Sequence, residues 1–129
     1  MIGGTNVAAG GGIDWSALTP LNKMVVEIAN TTKNLWYSYT ETITGAGYLT
    51  NIIAHADGGS DGSKEARVSF SVDGGAATSE VLSSYKYSGT YGGQGGVLPL
   101  FIRFNTSIVI TYRFKNSVAR NRGYTALLE

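Results

Sequence analysis

Residues 97–114 read VLPLFIRFNTSIVITYRF, and their pattern indicates the class of fold. On both sides of the dipeptide Asn105-Thr106, apolar residues alternate with others, as in β-strands that bury one face. The stretch therefore predicts two strands joined by a tight turn, and Pro99 places the first strand at a sheet edge or a bulge. The side chains predicted to face inward are Leu98, Leu100, Ile102, Phe104, Ile108, Ile110, Tyr112 and Phe114.

The rest of the chain carries the same kind of signal. Ala66–Val72 alternates, and Asp73-Gly74-Gly75 supplies residues that tolerate positive φ, which predicts a hairpin to Thr78–Leu82. Trp15–Lys23 has room for one helical turn at most, and no segment keeps a helical apolar period. Further strands are predicted at Met24–Ala29, Asn34–Ile43, Tyr48–Ala56 and Tyr124–Leu128, with Asn116–Gly123 as a polar loop. About eight short antiparallel strands predict an all-β protein, a β-sandwich or jelly roll.

Length and composition limit the domain organisation. The chain has 129 residues, the size of a single domain. Residues 1–12, MIGGTNVAAGGG, are rich in glycine, so we expect residues 1–20 to form a flexible N-terminal arm and residues 21–129 to form one sandwich domain. Such an arm could clasp a neighbouring subunit or make no contact. The start of the sequence has no basic and apolar leader, and no apolar run is long enough for a membrane span.

Candidate catalytic and metal-binding groups are few. There is no cysteine, which excludes disulfides and a thiolate site, and the single histidine excludes a cluster of imidazole ligands. His55, Asp57 and Asp61 lie close in sequence, but glycines occupy the positions that a calcium loop would need for ligands. We interpret that segment as a turn. Because no nucleophile motif is present either, we predict a protein that is not an enzyme and holds no metal or cofactor.

Charge is distributed unevenly along the chain. Residues 1–97 carry five Lys or Arg and eight acidic residues, whereas residues 98–129 carry five Lys or Arg and one acid. The basic C-terminal quarter could face an acidic partner, although solvated surface charges are the simpler interpretation. It has no dense Lys/Arg cluster, so nucleic acid is not expected as a partner.

Residues 83–96, SSYKYSGTYGGQGG, combine tyrosine with serine and glycine. This composition is typical of recognition loops, since tyrosine offers a large contact area and serine and glycine offer adaptability. The alternative is a long hairpin loop whose tyrosines lie back over the sandwich. The candidate residues for contact with a ligand or a subunit are Tyr85, Lys86, Tyr87, Tyr91 and Gln94, with Trp36 as a possible exposed aromatic beside them.

Four segments together resemble a known group of proteins. They are ITGAGYLTNI at residues 43–52, FSVDG at 70–74, LFIRFNTSI at 100–108 and YTALL at 124–128. Their pattern is similar to that of small phage and prophage virion structural proteins, over about residues 34–128. The resemblance implies a β-sandwich subunit of a phage particle, either a capsid decoration (cement) protein or a tail component, commonly trimeric. It carries over no catalytic residue.

The sequence thus predicts a non-enzymatic structural subunit, made in the host cytoplasm and located in the virion. Its partners would be further copies of itself, with a trimer expected, and a major capsid or tail protein. The alternative is a carbohydrate- or host-receptor-binding module of a phage tail, which would bind a surface glycan. The residues proposed for contact with the capsid or another partner are Ile2, Val7, Ile13, Trp15, Arg103 and Arg113.

Overall fold

A computed structural model describes residues 13–28, 35–57, 63–86, 94–115 and 119–129. Within these ranges, nine strands follow a 3₁₀ turn at Trp15–Ala17. Sheet I has the strand order β1-β9-β3-β7, and sheet II has the order β2-β8-β4-β5-β6. The strands are β1 (Thr19–Val25), β2 (Trp36–Thr44), β3 (Gly47–Asp57), β4 (Lys64–Val72), β5 (Val81–Lys86), β6 (Gln94–Gly95), β7 (Val97–Phe104), β8 (Ser107–Lys115) and β9 (Ala119–Leu128).

The pairing follows a nested hairpin. β1 pairs with β9, β2 with β8, β3 with β7, and β4 with β5, all antiparallel. Successive pairs alternate between the two sheets, so the folded hairpin rolls into two layers, which is the arrangement of a jelly roll. The predicted all-β sandwich is confirmed, with the short β6 as an additional strand.

The core fills the space between the sheets. Phe104, Ile108, Ile110, Tyr112 and Phe114 are fully buried, and the alternation predicted for β7 and β8 is confirmed. The buried Tyr112 hydroxyl donates a hydrogen bond to the carbonyl oxygen of Gly123 at 3.0 Å, so its polar atom is satisfied. Burial raises the pKa of this phenol above its ordinary value.

The chain passes from β6 of sheet II to β7 of sheet I at Gly96. Its N–H donates to the carbonyl of Ser83 on β5 at 2.9 Å, and its own carbonyl accepts from the N–H of Ala54 on β3 at 2.9 Å. Gly96 has φ 117°, a conformation that favours glycine. Gly96 therefore links the two sheets along this side of the sandwich, together with the hydrogen bond from the N–H of Ala56 on β3 to Ser84 Oγ on β5 at 3.2 Å.

The opposite end of the molecule is held by Asp73. Its φ is 52° and that of Gly74 is 74°, so the prediction of positive φ at this turn is confirmed. The Asp73 carboxylate accepts hydrogen bonds from the backbone N–H groups of Asn105, Thr106 and Ser107. Backbone hydrogen bonds, that from Thr106 foremost, hold the pKa of Asp73 below its ordinary value.

Three predicted boundaries are wrong. The first strand is Thr19–Val25 rather than Met24–Ala29, because Pro20 is tolerated on an edge strand. The strand after the Asp73 turn is Val81–Lys86 rather than Thr78–Leu82, so it extends into the tyrosine-rich stretch. Most of the predicted polar loop belongs to β9, Ala119–Leu128, because two of its arginines lie between the sheets.

Two further expectations concern the position of β7 in its sheet and the N-terminal arm. β7, which contains Pro99, is an edge strand among the described strands of sheet I, as predicted. Opposite Pro99, β3 carries an irregularity between Leu49 and Asn51. At the N-terminus, β1 begins at Thr19, two residues before the predicted start of the domain at residue 21, and residues 1–12 of the predicted arm, residues 1–20, lie outside the described residues.

Candidate functional site: two unlike outer faces

The outer surface of sheet I, called face I here, carries two rows of apolar residues, with Asn22, Thr125 and Asn51 in the row between them. Cross-strand register places Pro20, Leu127, Tyr48 and Arg103 in one row of side chains. Of nine large apolar side chains that are exposed in the described residues, most lie on face I, and these are Trp15, Met24, Val26, Ile28, Val97 and Phe101. Scattered exposed apolar residues are ordinary, but a concentration on one face indicates a contact surface.

An aromatic cluster covers one end of face I. Tyr48 and Phe101 stack with ring centroids 4.8 Å apart, and Trp15 meets Phe101 edge-on at 5.9 Å. Trp15 and Phe101 are 51% and 54% exposed, whereas Tyr48 beneath them is buried. The cluster therefore presents two aromatic side chains to solvent from a base that is itself packed.

Arg103 borders this cluster. Its guanidinium lies 5.0 Å from the Tyr48 ring centroid, donates to Asn105 Oδ1 at 3.1 Å and pairs with Glu129. The structure thus brings together Trp15 and Arg103, which were predicted as partner-contact residues. Ile13 is half-buried just before the 3₁₀ turn, and Ile2 and Val7 lie outside the described residues.

A second apolar row crosses the middle of face I. Met24, Gly123, Ile53 and Val97 are successive partners in register across all four strands. Met24 is 49% exposed and Val97 is 63% exposed, at the two edges of the sheet. Because Gly123 has no side chain, the centre of this row is shallow.

The outer surface of sheet II, face II, is polar. Thr40, Thr111 and Ser69 are direct cross-strand partners there, and hydroxyl residues occupy most neighbouring outer positions. Towards one end lies a row in which each residue is paired with the next, namely Trp36, Lys115, Glu65, Tyr85 and Gln94. The two faces therefore differ in chemistry, although both belong to the same sandwich.

Cations surround Trp36. Arg113, Arg67 and Lys115 lie 4.3, 5.7 and 5.9 Å from its ring centroid, measured from Cζ or Nζ. Arg113 pairs with Glu80 at 2.7 Å. Arg113 therefore belongs to face II and is separated by the sandwich from Trp15 and Arg103, with which the sequence had grouped it.

The tyrosine-rich stretch is only partly a loop. Tyr85 and Lys86 end β5, and Gln94 opens β6, so these three candidates lie on strands of sheet II. Tyr85 is half-buried, and Trp36, predicted as an exposed aromatic, is half-buried on the same face. Tyr87 and Tyr91 lie outside the described residues.

A polar cluster that sequence reasoning missed lies between the sheets. Arg120 and Arg122 point inward from β9, and their guanidiniums lie 3.4 and 3.7 Å from the ring centroids of Tyr37 and Tyr39. Arg122 donates to Glu27 Oε1 at 2.8 Å, and the Tyr39 hydroxyl donates to Glu27 Oε2 at 3.0 Å. The matching two-residue spacing of the arginines and the tyrosines was the available sequence signal.

Glu27 is expected to make the stability of this cluster depend on pH. The hydrogen bond from Arg122 is the largest influence on the pKa of Glu27 and holds it below the ordinary value of 4.5. Ionised Glu27 therefore stabilises the fold above pH 4.5, and this contribution is lost as pH falls through the lower, folded pKa. We expect Glu27→Gln to cost about 1–3 kcal/mol at pH 7 in urea unfolding, and the difference from wild type to narrow below pH 4.5. A difference independent of pH would contradict this role.

The candidate metal-binding and acid–base residues do not converge in the part of the chain that the structure describes. Among the described residues, no group of three or more His, Cys, Asp and Glu converges on a point. His55 Nε2 and Asp57 Oδ2 are 4.0 Å apart on face I, and Asp61 lies outside the described ranges. Within the same ranges, no helix has the length and apolar character needed to cross a bilayer.

Comparison with known proteins gives little. No protein-family model and no curated protein matches the chain. Two chains from structures of infectious bursal disease virus resemble it: the Gt strain at 9% identity and TM-score 0.43, and the Gx strain at 13% and 0.35. The matches cover 88% and 84% of this chain but only 33% and 32% of those chains, so this chain spans about a third of their length. At these TM-scores the likeness carries no argument about function.

Proposed function

We propose that this protein is a non-enzymatic structural subunit of a virus particle, and that copies of it associate through face I. The observation that carries the proposal is the concentration of exposed apolar side chains on face I, with Trp15, Val97 and Phe101 each more than half exposed. Face II, on the same sandwich, is hydroxyl-rich and charged. Such a contrast is expected where one face is covered by a neighbour and the other is not.

The size of face I suits a stable contact. Four strands spaced about 4.8 Å apart, with roughly ten residues at about 3.3 Å each, give a flat area of about 600 Å². Side-chain relief increases the accessible area beyond that figure. A standard interface buries on the order of 800 Å² per partner, so one neighbour on face I would suffice.

Motif resemblance supports a phage particle as the setting. The segments at residues 43–52, 70–74 and 100–108 include three turns at the Asp73 end of the sandwich, at residues 45–46, 73–74 and 105–106. A jelly roll by itself supports many functions, so the fold does not choose among them. We favour a trimeric capsid decoration (cement) protein, with residues 1–12 and Arg103, at the border of face I, contacting a major capsid or tail protein.

The test is the mass of the full chain in solution by light scattering. We expect wild type to form an oligomer, with a trimer favoured, and Phe101→Asp to weaken association at least tenfold by placing a charge in the contact. Leu82→Asp is the matched control, since Leu82 is 48% exposed but lies on sheet II. Wild type that remains monomeric at every concentration, or Phe101→Asp that associates like wild type, would contradict the proposal.

A further inference from the structure

The row on face II from Trp36 to Tyr85 has the dimensions of an extended binding surface. Trp36 is on β2 and Tyr85 is on β5, with Lys115 and Glu65 between them in register. Three strand spacings separate the two aromatic residues, which is about 14 Å. Both aromatics are half-buried, so each is held in place by its neighbours while part of its ring reaches solvent.

The space between these aromatics carries an excess of positive charge. Arg67, Arg113 and Lys115 face Glu65 and Glu80, which leaves three cations against two carboxylates. The side chains of the three cations are 38%, 35% and 27% exposed, so they are accessible to a ligand. An anionic group would therefore complete the balance of charge on this surface.

Lys115 is the cation best placed to receive that group. Arg67 donates twice to Glu65 Oε1, from Nε at 3.2 Å and from Nη2 at 2.7 Å. The Lys115 ammonium lies 3.9 Å from Glu65 Oε2, which is beyond direct hydrogen bonding. Its donors can thus turn to an incoming acceptor without breaking the Arg67–Glu65 pair.

The surroundings of the row distinguish between occupants. Beyond Trp36 the outer positions of β2 and β8 include Ser38, Thr40 and Thr111, which offer hydroxyl groups on the sheet surface. Leu35 and Leu82 are the large apolar side chains exposed near the row, fewer than on face I, so this surface suits a second copy less well than face I does. An extended peptide would pair along a sheet edge through its backbone, whereas this row runs across the strands of sheet II, from the edge strand β2 to β5.

We propose that face II binds an acidic saccharide. Sugar rings stack on the exposed parts of Trp36 and Tyr85, and Lys115 and Arg113 receive the carboxylate. The hydroxyls of Ser38, Thr40 and Thr111 bond to sugar hydroxyls. The site is independent of the apolar face I, so a subunit that assembles through face I presents face II outward, where a glycan can reach it.

Indole fluorescence of the full chain tests the site. The protein has two tryptophans, so Trp15→Phe leaves Trp36 as the sole indole reporter. The probes are tetragalacturonate and sialyllactose, each paired with its neutral counterpart, the methyl ester and lactose. We expect at least one acidic probe to quench Trp36 emission with saturation, and its neutral counterpart to bind at least tenfold more weakly.

Variants then assign the contacts. Lys115→Met in the Trp15→Phe background should weaken binding of the acidic probe at least tenfold, whereas Thr42→Ala, farther along β2 and away from the row, should not. Calorimetric titration of Trp36→Ala should show the same loss, with an unchanged melting temperature as the check of folding. Absence of saturable binding of both acidic probes, equal binding of the neutral ones, or full binding by Trp36→Ala would overturn the proposal. Light scattering distinguishes a failure of the saccharide site from a failure of assembly, because Trp36→Ala should leave association through face I unchanged.

Discussion

Gly123→Ala should detach β1 from the sandwich. A Cβ atom at this position would lie 2.2 Å from the carbonyl oxygen of Lys23 and 3.0 Å from the Cα of Met24, both backbone atoms of β1. Neither can move without shifting the strand, and β9 is the strand with which β1 pairs. The Tyr112 hydroxyl would also lose its acceptor geometry at the Gly123 carbonyl. We expect a loss of about 3 kcal/mol of unfolding free energy.

Urea unfolding measures this loss, and hydrogen exchange locates it. The amides of β1 and the facing amides of β9 should exchange much faster in the variant, while those of sheet II stay protected. Gly75→Ala is the control, because its added Cβ would have one neighbour, the Val72 carbonyl at 3.1 Å. Equal free energies of unfolding for Gly123→Ala and Gly75→Ala would show that the β1 backbone does not pack against Gly123 as closely as the structure has it.

Phe104→Ala should lower the free energy of unfolding much more than Phe101→Ala, although the two residues lie three positions apart on β7. Phe104 is fully buried in the core, so its truncation removes buried apolar surface and leaves a cavity. A loss of about 3–5 kcal/mol is expected. Phe101 is 54% exposed on face I, so its truncation should change the stability of the monomer by less than about 1 kcal/mol.

Chemical denaturation of each variant at low protein concentration separates the two effects. Low concentration matters because association through face I would otherwise add to the apparent stability. A large loss for Phe101→Ala, or a small loss for Phe104→Ala, would reverse the assignment of the inner and outer faces of β7.

Much of the fold could be predicted from the sequence, because strands with one buried and one exposed face show alternating apolar residues. The segment from Ile108 to Phe114 alternates strictly between buried and partly exposed residues. Its inward side chains belong to the core between the two sheets, whereas Thr111 and Arg113 face solvent. The same reasoning placed Ala66, Val68 and Phe70 inward, and all three are buried. Turn chemistry at Asp73 was readable as well, since few residues accept the positive φ found there.

The missed elements share a physical cause, namely inward positions filled by polar side chains. β9 begins with Arg120 and Arg122 between the sheets, stacked on tyrosines and paired with Glu27, so its first half has no apolar alternation. β1 is an edge strand whose inward Lys23 pairs with Glu41 at 2.6 Å. Such pairings depend on partners far away in the sequence, which local patterns do not reveal.

The sequence predicted several residues of the candidate surfaces, but it did not predict which of them lie on the same face. Trp15, Trp36, Tyr85, Arg103 and Arg113 were all singled out from the sequence, yet only cross-strand register shows how they divide. Trp15 and Arg103 belong to face I, and the other three belong to face II. Met24, Val26 and Ile28 fell within a predicted apolar strand, and the structure leaves all three side chains exposed along the edge of face I.

Cysteine labelling of the assembled protein asks most directly whether face I is a contact surface. The chain has no cysteine, so single replacements report cleanly. Val97→Cys places a thiol on face I, and Thr40→Cys places one on face II. In the oligomer, the Val97→Cys thiol should react with a maleimide at least tenfold more slowly than in dilute monomer, and the Thr40→Cys thiol at an unchanged rate. Equal reactivity of the Val97→Cys thiol in both states would contradict assembly through face I.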